Sequence, residues 1–259
     1  MISGRFGFGG RRGADRRRAR LADRAPSGPI RDYLREPGPD PRTDASELPL
    51  LALDLETTGL DPRSDHILSV GFLPLDGLSI DLSGARQLLC RADAEVGQSA
   101  AVHGITDDAL TAGVALSEVL EEVARALTGR VLLAHHAAIE TEFLSTASER
   151  VFGVPLPVDA VDTMELQARV LRSHGGEDLP PGALRLATAR AHLGLPRYAA
   201  HEALTDALRD TTPEDPIASG PVERVVRGEC DALQEPSDHA DPPRPAGSGG
   251  SSKERSSLS

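Results

Sequence analysis

An apolar strand with two carboxylates set into one face governs how this chain can fold. Leu51, Leu53 and Leu55 alternate with Ala52, Asp54 and Glu56, the two-residue period of a β-strand. Asp54 and Glu56 therefore project from the same side. Ionised carboxylates on so apolar a strand are costly unless they meet water or cations. Spacing alone leaves both readings open, a wetted polar face or a cation site. Thr57-Thr58-Gly59 and Asp61-Pro62 then supply a turn. Residues 66–75 read as a second strand closed by Asp76-Gly77, a hairpin signal, and a third strand falls within 78–89.

The middle of the chain changes period. Leu116, Val119, Leu120, Val123 and Leu127 fall on one helical stripe. Residues 130–134 form a short β-rich run, followed by a helix over about 137–150 and two more helical stretches near 162–171 and 183–193. A last short helix begins near Glu202. Strands in an antiparallel meander, then helix, strand and helices, predict an α/β domain with a mixed sheet whose first three strands are antiparallel, flanked by helices. Residues 1–46 read as a disordered Arg- and Pro-rich arm, with a short helix around Ile30 to Leu34. Residues 47–209 read as the folded domain, and 210–259, rich in Pro, Gly and Ser, as a mostly disordered tail.

Composition removes several classes of function. The only lysine among the 28 basic residues is Lys253, in the Ser/Gly-rich end. A P-loop needs its lysine, and a Schiff-base lysine is not expected in such a segment. Two cysteines, Cys90 and Cys230, are too few for a disulfide framework or a cysteine-rich zinc site, so a reducing, cytoplasmic setting is expected. No apolar run approaches a membrane span, the start lacks a signal-peptide pattern, and no membrane partner is expected. The net charge is −12, yet the first twenty residues carry seven arginines against one aspartate. An acidic body argues against tight nonspecific duplex binding. It leaves room for a small site that grips a strand end through metal ions.

Three further residues complete the candidate set. Glu140 shares a helical stripe with Phe143, Leu144 and Ala147, whereas Glu142 points the other way with Ser145 and Glu149. A carboxylate on a buried stripe needs a partner, either a metal or an arginine such as Arg169 or Arg185. His201 and Asp206, taken alone, are also consistent with an ordinary helix start and a solvated aspartate.

Taken together, these segments resemble the DnaQ-like (DEDDh-type) 3′–5′ exonucleases. Leu53-Asp54-Leu55-Glu56-Thr57-Thr58-Gly59-Leu60 resembles the first motif of that family. The second resembles the stretch from Ala134 through His135, His136, Ala137 and Glu140 to Leu144, and the third is similar to His201-Glu202-Ala203-Leu204-Thr205-Asp206-Ala207. His103-Gly104-Ile105-Thr106 and Val161-Asp162-Thr163 match signatures between them. Glu140 stands where most members have Asp, so its carboxylate reaches about one methylene further. Asp210-Thr211-Thr212-Pro213 ends the last helix early for the family.

The resemblance implies a ribonuclease H-like fold and hydrolysis of phosphodiester bonds at the 3′ end of single-stranded or frayed DNA or RNA, releasing nucleoside 5′-monophosphates. It implies Asp54, Glu56, Glu140 and Asp206 as metal and catalytic carboxylates and His201 as the general base. Thr57, Gly59 and His103 are implied at the substrate. It also implies two divalent cations, Mg2+ or Mn2+, which suit all-oxygen ligands, and a polymerase or nucleotidyltransferase-type partner. The alternative is a catalytically impaired DnaQ-like module that binds nucleic acid or a partner. A phosphoryl-accepting D-x-D enzyme is disfavoured, because Glu56 stands at the second position and the usual lysine is missing. Only seven aromatic residues argue against a stacking platform for single strands.

Overall fold

The computed structural model describes residues 11–40, 42–44, 46–77, 79–91, 111–175 and 178–192. Its centre is strand β1 (Pro49–Thr57), paired antiparallel with β2 (Ile67–Asp76) and parallel with β5 (Val131–Ala134). Beyond β2 lie the two-residue β3 (Ser79–Ile80) and β4 (Arg86–Leu89), both antiparallel to it; beyond β5 lies β6 (Ala160–Asp162), again parallel. The six-stranded sheet is thus mixed, with the antiparallel strands first, as the alternating pattern predicts. The expected third strand arrives in two pieces, β3 and β4. Three-residue β6 is too short to leave a period in the sequence.

Alternation along β1 sends its side chains into two cores. Leu51, Leu53 and Leu55 pack with helix α3 (Leu116–Leu127) and helix α4 (Ala138–Phe152). Leu50 and Ala52 pack on the opposite face with Leu73, Leu133, Val161 and Leu166, the last from helix α5 (Thr163–Gly175). The stripe predicted for α3 is the buried one, including Val119, Leu120, Val123 and Leu127. Helix α4 stops at Gly153, which takes a left-handed φ of 72° and returns its N–H to the Glu149 carbonyl, the geometry glycine accepts most readily. A short helix α6 (Leu186–His192) follows.

The N-terminal expectation requires correction. The short helix expected around Ile30 to Leu34 is present as α2 (Pro29–Arg35), but the segment is no structureless arm, because helix α1 (Arg11–Arg24) precedes it and both pack against the larger core. Leu21, Ala22, Ala25, Ile30, Tyr33 and Leu34 are buried there. Tyr33 donates its hydroxyl to the Pro157 carbonyl at 2.8 Å, and the Arg18 guanidinium stacks 4.4 Å from its ring centre. Burying side chains of this size contributes roughly 1.5–3 kcal/mol each, enough to order a segment whose composition looks solvated. The arginines obscure a sparse apolar stripe, and Arg18 itself joins the core through its planar face. The tail at 210–259 lies outside the described residues.

Candidate active site

The site forms where the antiparallel and parallel halves of the sheet meet. In the parallel register Ala52 lies opposite Leu133, so β1 runs on past the end of β5. Asp54 and Glu56 occupy that overhang, in phase with Leu50 and Ala52 and therefore on the face toward α5. Asp54 is half-buried and Glu56 is 6% exposed. The carboxyl ends of strands at such a switch in direction are where open α/β sheets place ligands.

Glu140 enters from the next element. It sits in the first turn of α4, on the stripe shared with Phe143, Leu144 and Ala147, and is 5% exposed. Its Oε2 is buried without a hydrogen-bond partner among the described residues. Burial pushes its carboxyl up to about 8; a local backbone hydrogen bond opposes the rise and the Asp162 charge adds to it. The two arginines that sequence reasoning offered as partners do not fill the role. Arg169 pairs with Glu165 at 2.5 Å on the surface, and Arg185 makes no ion pair with Glu140. Glu142 is exposed, as the helical phase predicts.

Asp162, which the sequence offers only as part of a signature, holds this corner together. It ends β6 and accepts the backbone N–H groups of His136 at 2.9 Å, Ala137 at 3.1 Å and Met164 at 2.9 Å. One carboxylate thus ties the turn that enters α4 to the first turn of α5, capping orphan amides at both. The turn needs the restraint: His136 adopts φ 75°, a left-handed conformation uncommon for side chains other than Gly, Asn, Asp and His. Its neighbour His135 is pinned, with Nε2 2.7 Å from the Leu184 carbonyl and Nδ1 2.9 Å from the Thr163 hydroxyl. A carbonyl oxygen can only accept, so Nε2 carries a proton and donates to Leu184, while the Thr163 hydroxyl also donates to the Ala134 carbonyl at 3.3 Å. Burial lowers the His135 pKa, and hydrogen bonding to Leu184 opposes the shift. The sequence signal for Asp162 is an acidic residue immediately before a Thr-initiated helix, a capping pattern.

The turn after β1 closes on itself. The Thr57 hydroxyl donates to the Gly59 carbonyl at 2.7 Å, and the Thr58 hydroxyl accepts from the His66 N–H at 2.9 Å. A Cβ at Gly59 would collide with the Asp65 carboxylate, which also accepts the Asp61 N–H at 2.8 Å. Leu60 is left 79% exposed beside the site.

Asp54, Glu56, Thr57 and Gly59 therefore lie at the end of β1 that runs past β5, and Glu140 lies in the first turn of α4, the helix that follows β5. His103, His201 and Asp206 lie outside the described residues, and within those residues no three metal-ligating side chains are close enough to enclose an ion. The donors present still suit a hard cation. They are carboxylate oxygens, and the orphaned Oε2 of Glu140 lacks the positive partner that would make its ionised form favourable.

Comparison with known proteins places this arrangement. The sequence profile of the RNase_T exonuclease family matches residues 51–212. The chain is 30% identical over 156 residues to the DNA polymerase III subunit epsilon of Treponema pallidum, covering 60% of this chain and 70% of that protein. It is also 30% identical over 159 residues to a PolC-type DNA polymerase III of Thermotoga petrophila, covering 61% of this chain and 11% of that protein. The chain thus spans about a tenth of the PolC-type relative's length. Among solved structures, Escherichia coli exonuclease I in complex with a dT13 oligonucleotide matches with a TM-score of 0.53 at 18% identity, over 63% of this chain and 39% of that one. Cell-death related nuclease 4 matches with a TM-score of 0.54 at 13% identity, over 64% of this chain and 62% of that one. The fold is the ribonuclease H-like one. No helix among the described residues is long and apolar enough to cross a membrane.

Proposed function

The chain belongs to the RNase_T exonuclease family, and on that premise we propose that it is a metal-dependent 3′–5′ exonuclease. Its substrate is the 3′ end of single-stranded or frayed DNA or RNA, and its product a nucleoside 5′-monophosphate. The observation that carries the reading is the buried Oε2 of Glu140, partnerless among the described residues, on a helix that packs against the strand bearing Asp54 and Glu56. A domain with no use for a cation at that corner gains nothing from burying an uncompensated carboxylate there.

In this mechanism Asp54, Glu56, Glu140 and Asp206 would hold two divalent cations, Mg2+ or Mn2+. When bound, such ions supply Lewis acidity to the attacking water and to the leaving 3′ oxygen. His201 accepts the proton of the attacking water, a task suited to a side chain with an ordinary pKa near ~6.5. Thr57 and Gly59 fix the turn against which the terminal nucleotide lies, Leu60 offers its exposed apolar face to the base, and His103 is carried over from the family motif as a contact of the terminal nucleotide. Residues 47–209 form the catalytic unit, with α1 and α2 packed on it. The relatives' names support a polymerase as the partner, and a nucleotidyltransferase-type protein is the alternative that the motif resemblance implies.

Oligonucleotides labelled at the 3′ or the 5′ end, in DNA and RNA forms, test the proposal when incubated with Mg2+, Mn2+ or EDTA. Release of labelled mononucleotide from the 3′ end, abolished by EDTA, is the expected result. Strand binding without hydrolysis in either metal would replace the exonuclease reading with that of a binding module.

A further inference from the structure

We propose that helix α1 extends the site into a track for the phosphodiester backbone of a nucleic-acid strand, through a groove shared by Arg17 and Arg63. The inference rests on the reading of the chain as a 3′-end nuclease and says how the strand behind that end is held.

The groove, about 480 Å³, lies between α1, the turn after β1 and the outer face of α4. Arg17 enters from α1, Arg63 from the β1–β2 turn, and Thr141, Ser145 and Thr146 line the helical wall. Both arginines are exposed, and neither makes an ion pair with a described residue. Two guanidiniums with hydroxyls beside them are the donors that phosphate oxygens require, and arginine suits phosphate through its planar fork. Thr141 follows Glu140 directly in the chain, and Arg63 belongs to the turn after β1, so the groove is built on the two elements that carry the candidate carboxylates.

Charge distribution supports the same occupant. Helix α1 carries seven arginines and two aspartates within a chain of net charge −12. Arg18 is spent on packing, where it hydrogen-bonds the Tyr33 carbonyl at 2.6 Å. The neighbouring Arg16, Arg17 and Arg20 remain exposed. An acidic protein that keeps a basic helix docked on its catalytic unit gains a local attraction for polyanions without general stickiness toward duplexes. Helix α1 precedes the stretch matched by the family profile, so this contribution belongs to this chain's own N-terminal region. Glu142 is the carboxylate that faces the groove, and it opposes a bound phosphate.

The test is equilibrium binding of the full chain in EDTA, where hydrolysis is arrested, to fluorescein-labelled oligothymidylates of two and sixteen nucleotides and to an oligouridylate of sixteen. Arg17→Gln with Arg63→Gln should weaken binding of both sixteen-mers about tenfold and lower the slope of log K against log salt by roughly 1–1.5, since each single-strand phosphate contact contributes about 0.7. The dinucleotide should lose less than twofold. Glu142→Gln should tighten the sixteen-mers, and Arg172→Gln, exposed on α5, should leave every value at wild type. Equal affinity of the double variant and the wild type for the sixteen-mers, or equal losses for long and short strands, would overturn the proposal. So would competition by polyglutamate as effective as that by unlabelled strand, which would make the groove a dock for acidic protein. Length-dependent binding that vanishes in the double variant, in a protein that cleaves nothing, would sustain the track and remove the nuclease reading instead.

Discussion

In the metal-free protein, ionising Glu140 should destabilise the fold, and replacing it with glutamine should remove that loss. Its carboxyl is raised from 4.5 to about 8 by burial. The folded state therefore holds a proton that the unfolded state has released. Between those two values the folded state binds more protons, so stability falls as pH rises and levels off above about 8. At 1.36 kcal/mol per unit, the wild type should lose roughly 2–3 kcal/mol from this group between pH 6 and pH 9. Glu140→Gln cannot ionise and should show none of that decline. Glu142→Gln, exposed on the same helix, should keep the wild-type slope. Urea unfolding in EDTA at several pH values measures all three. Saturating Mn2+ should flatten the wild-type profile by stabilising the ionised carboxylate. Parallel profiles for wild type and Glu140→Gln would refute the reasoning.

Three other changes probe the same corner. Asp54→Ala should abolish hydrolysis while shifting the unfolding midpoint little, because it removes one member of an acidic cluster on a half-buried position; wild-type turnover would contradict its role as a ligand. Asp162→Asn should keep the bonds to His136 and Met164 but turn an amide toward the Ala137 N–H, costing about 1–3 kcal/mol of stability and lowering kcat more than it raises KM. An unchanged kcat would reduce Asp162 to a helix cap. For His201→Gln, the maximal rate should fall strongly and the rise of rate with pH should disappear, with metal affinity almost unchanged; a variant that keeps its rate but needs far more metal would make His201 a ligand.

Much of this was readable from periodicity. Alternation in β1 places Asp54 and Glu56 on one face, and the stripe of α4 separates buried Glu140 from exposed Glu142, because a side chain's direction follows from its element's repeat. What escaped the sequence depends on contacts far apart in the chain. Strand β6 has three residues and owes its existence to pairing with β5. The helices of residues 11–35 are ordered by Tyr33 reaching Pro157 and by Arg18 lying on its ring, neither of which composition encodes. Asp162 reads locally as a cap, yet it also clamps the His136 turn twenty-six residues away.

The central claim, that carboxylates from β1 and α4 share divalent cations, is tested most directly by crystals grown with Mn2+ and measured for anomalous scattering. A manganese peak is expected within roughly 2.0–2.3 Å of carboxylate oxygens of both Asp54 and Glu140, with Glu140 Oε2 no longer partnerless. A well-ordered site with no peak, or manganese bound only elsewhere, would contradict it.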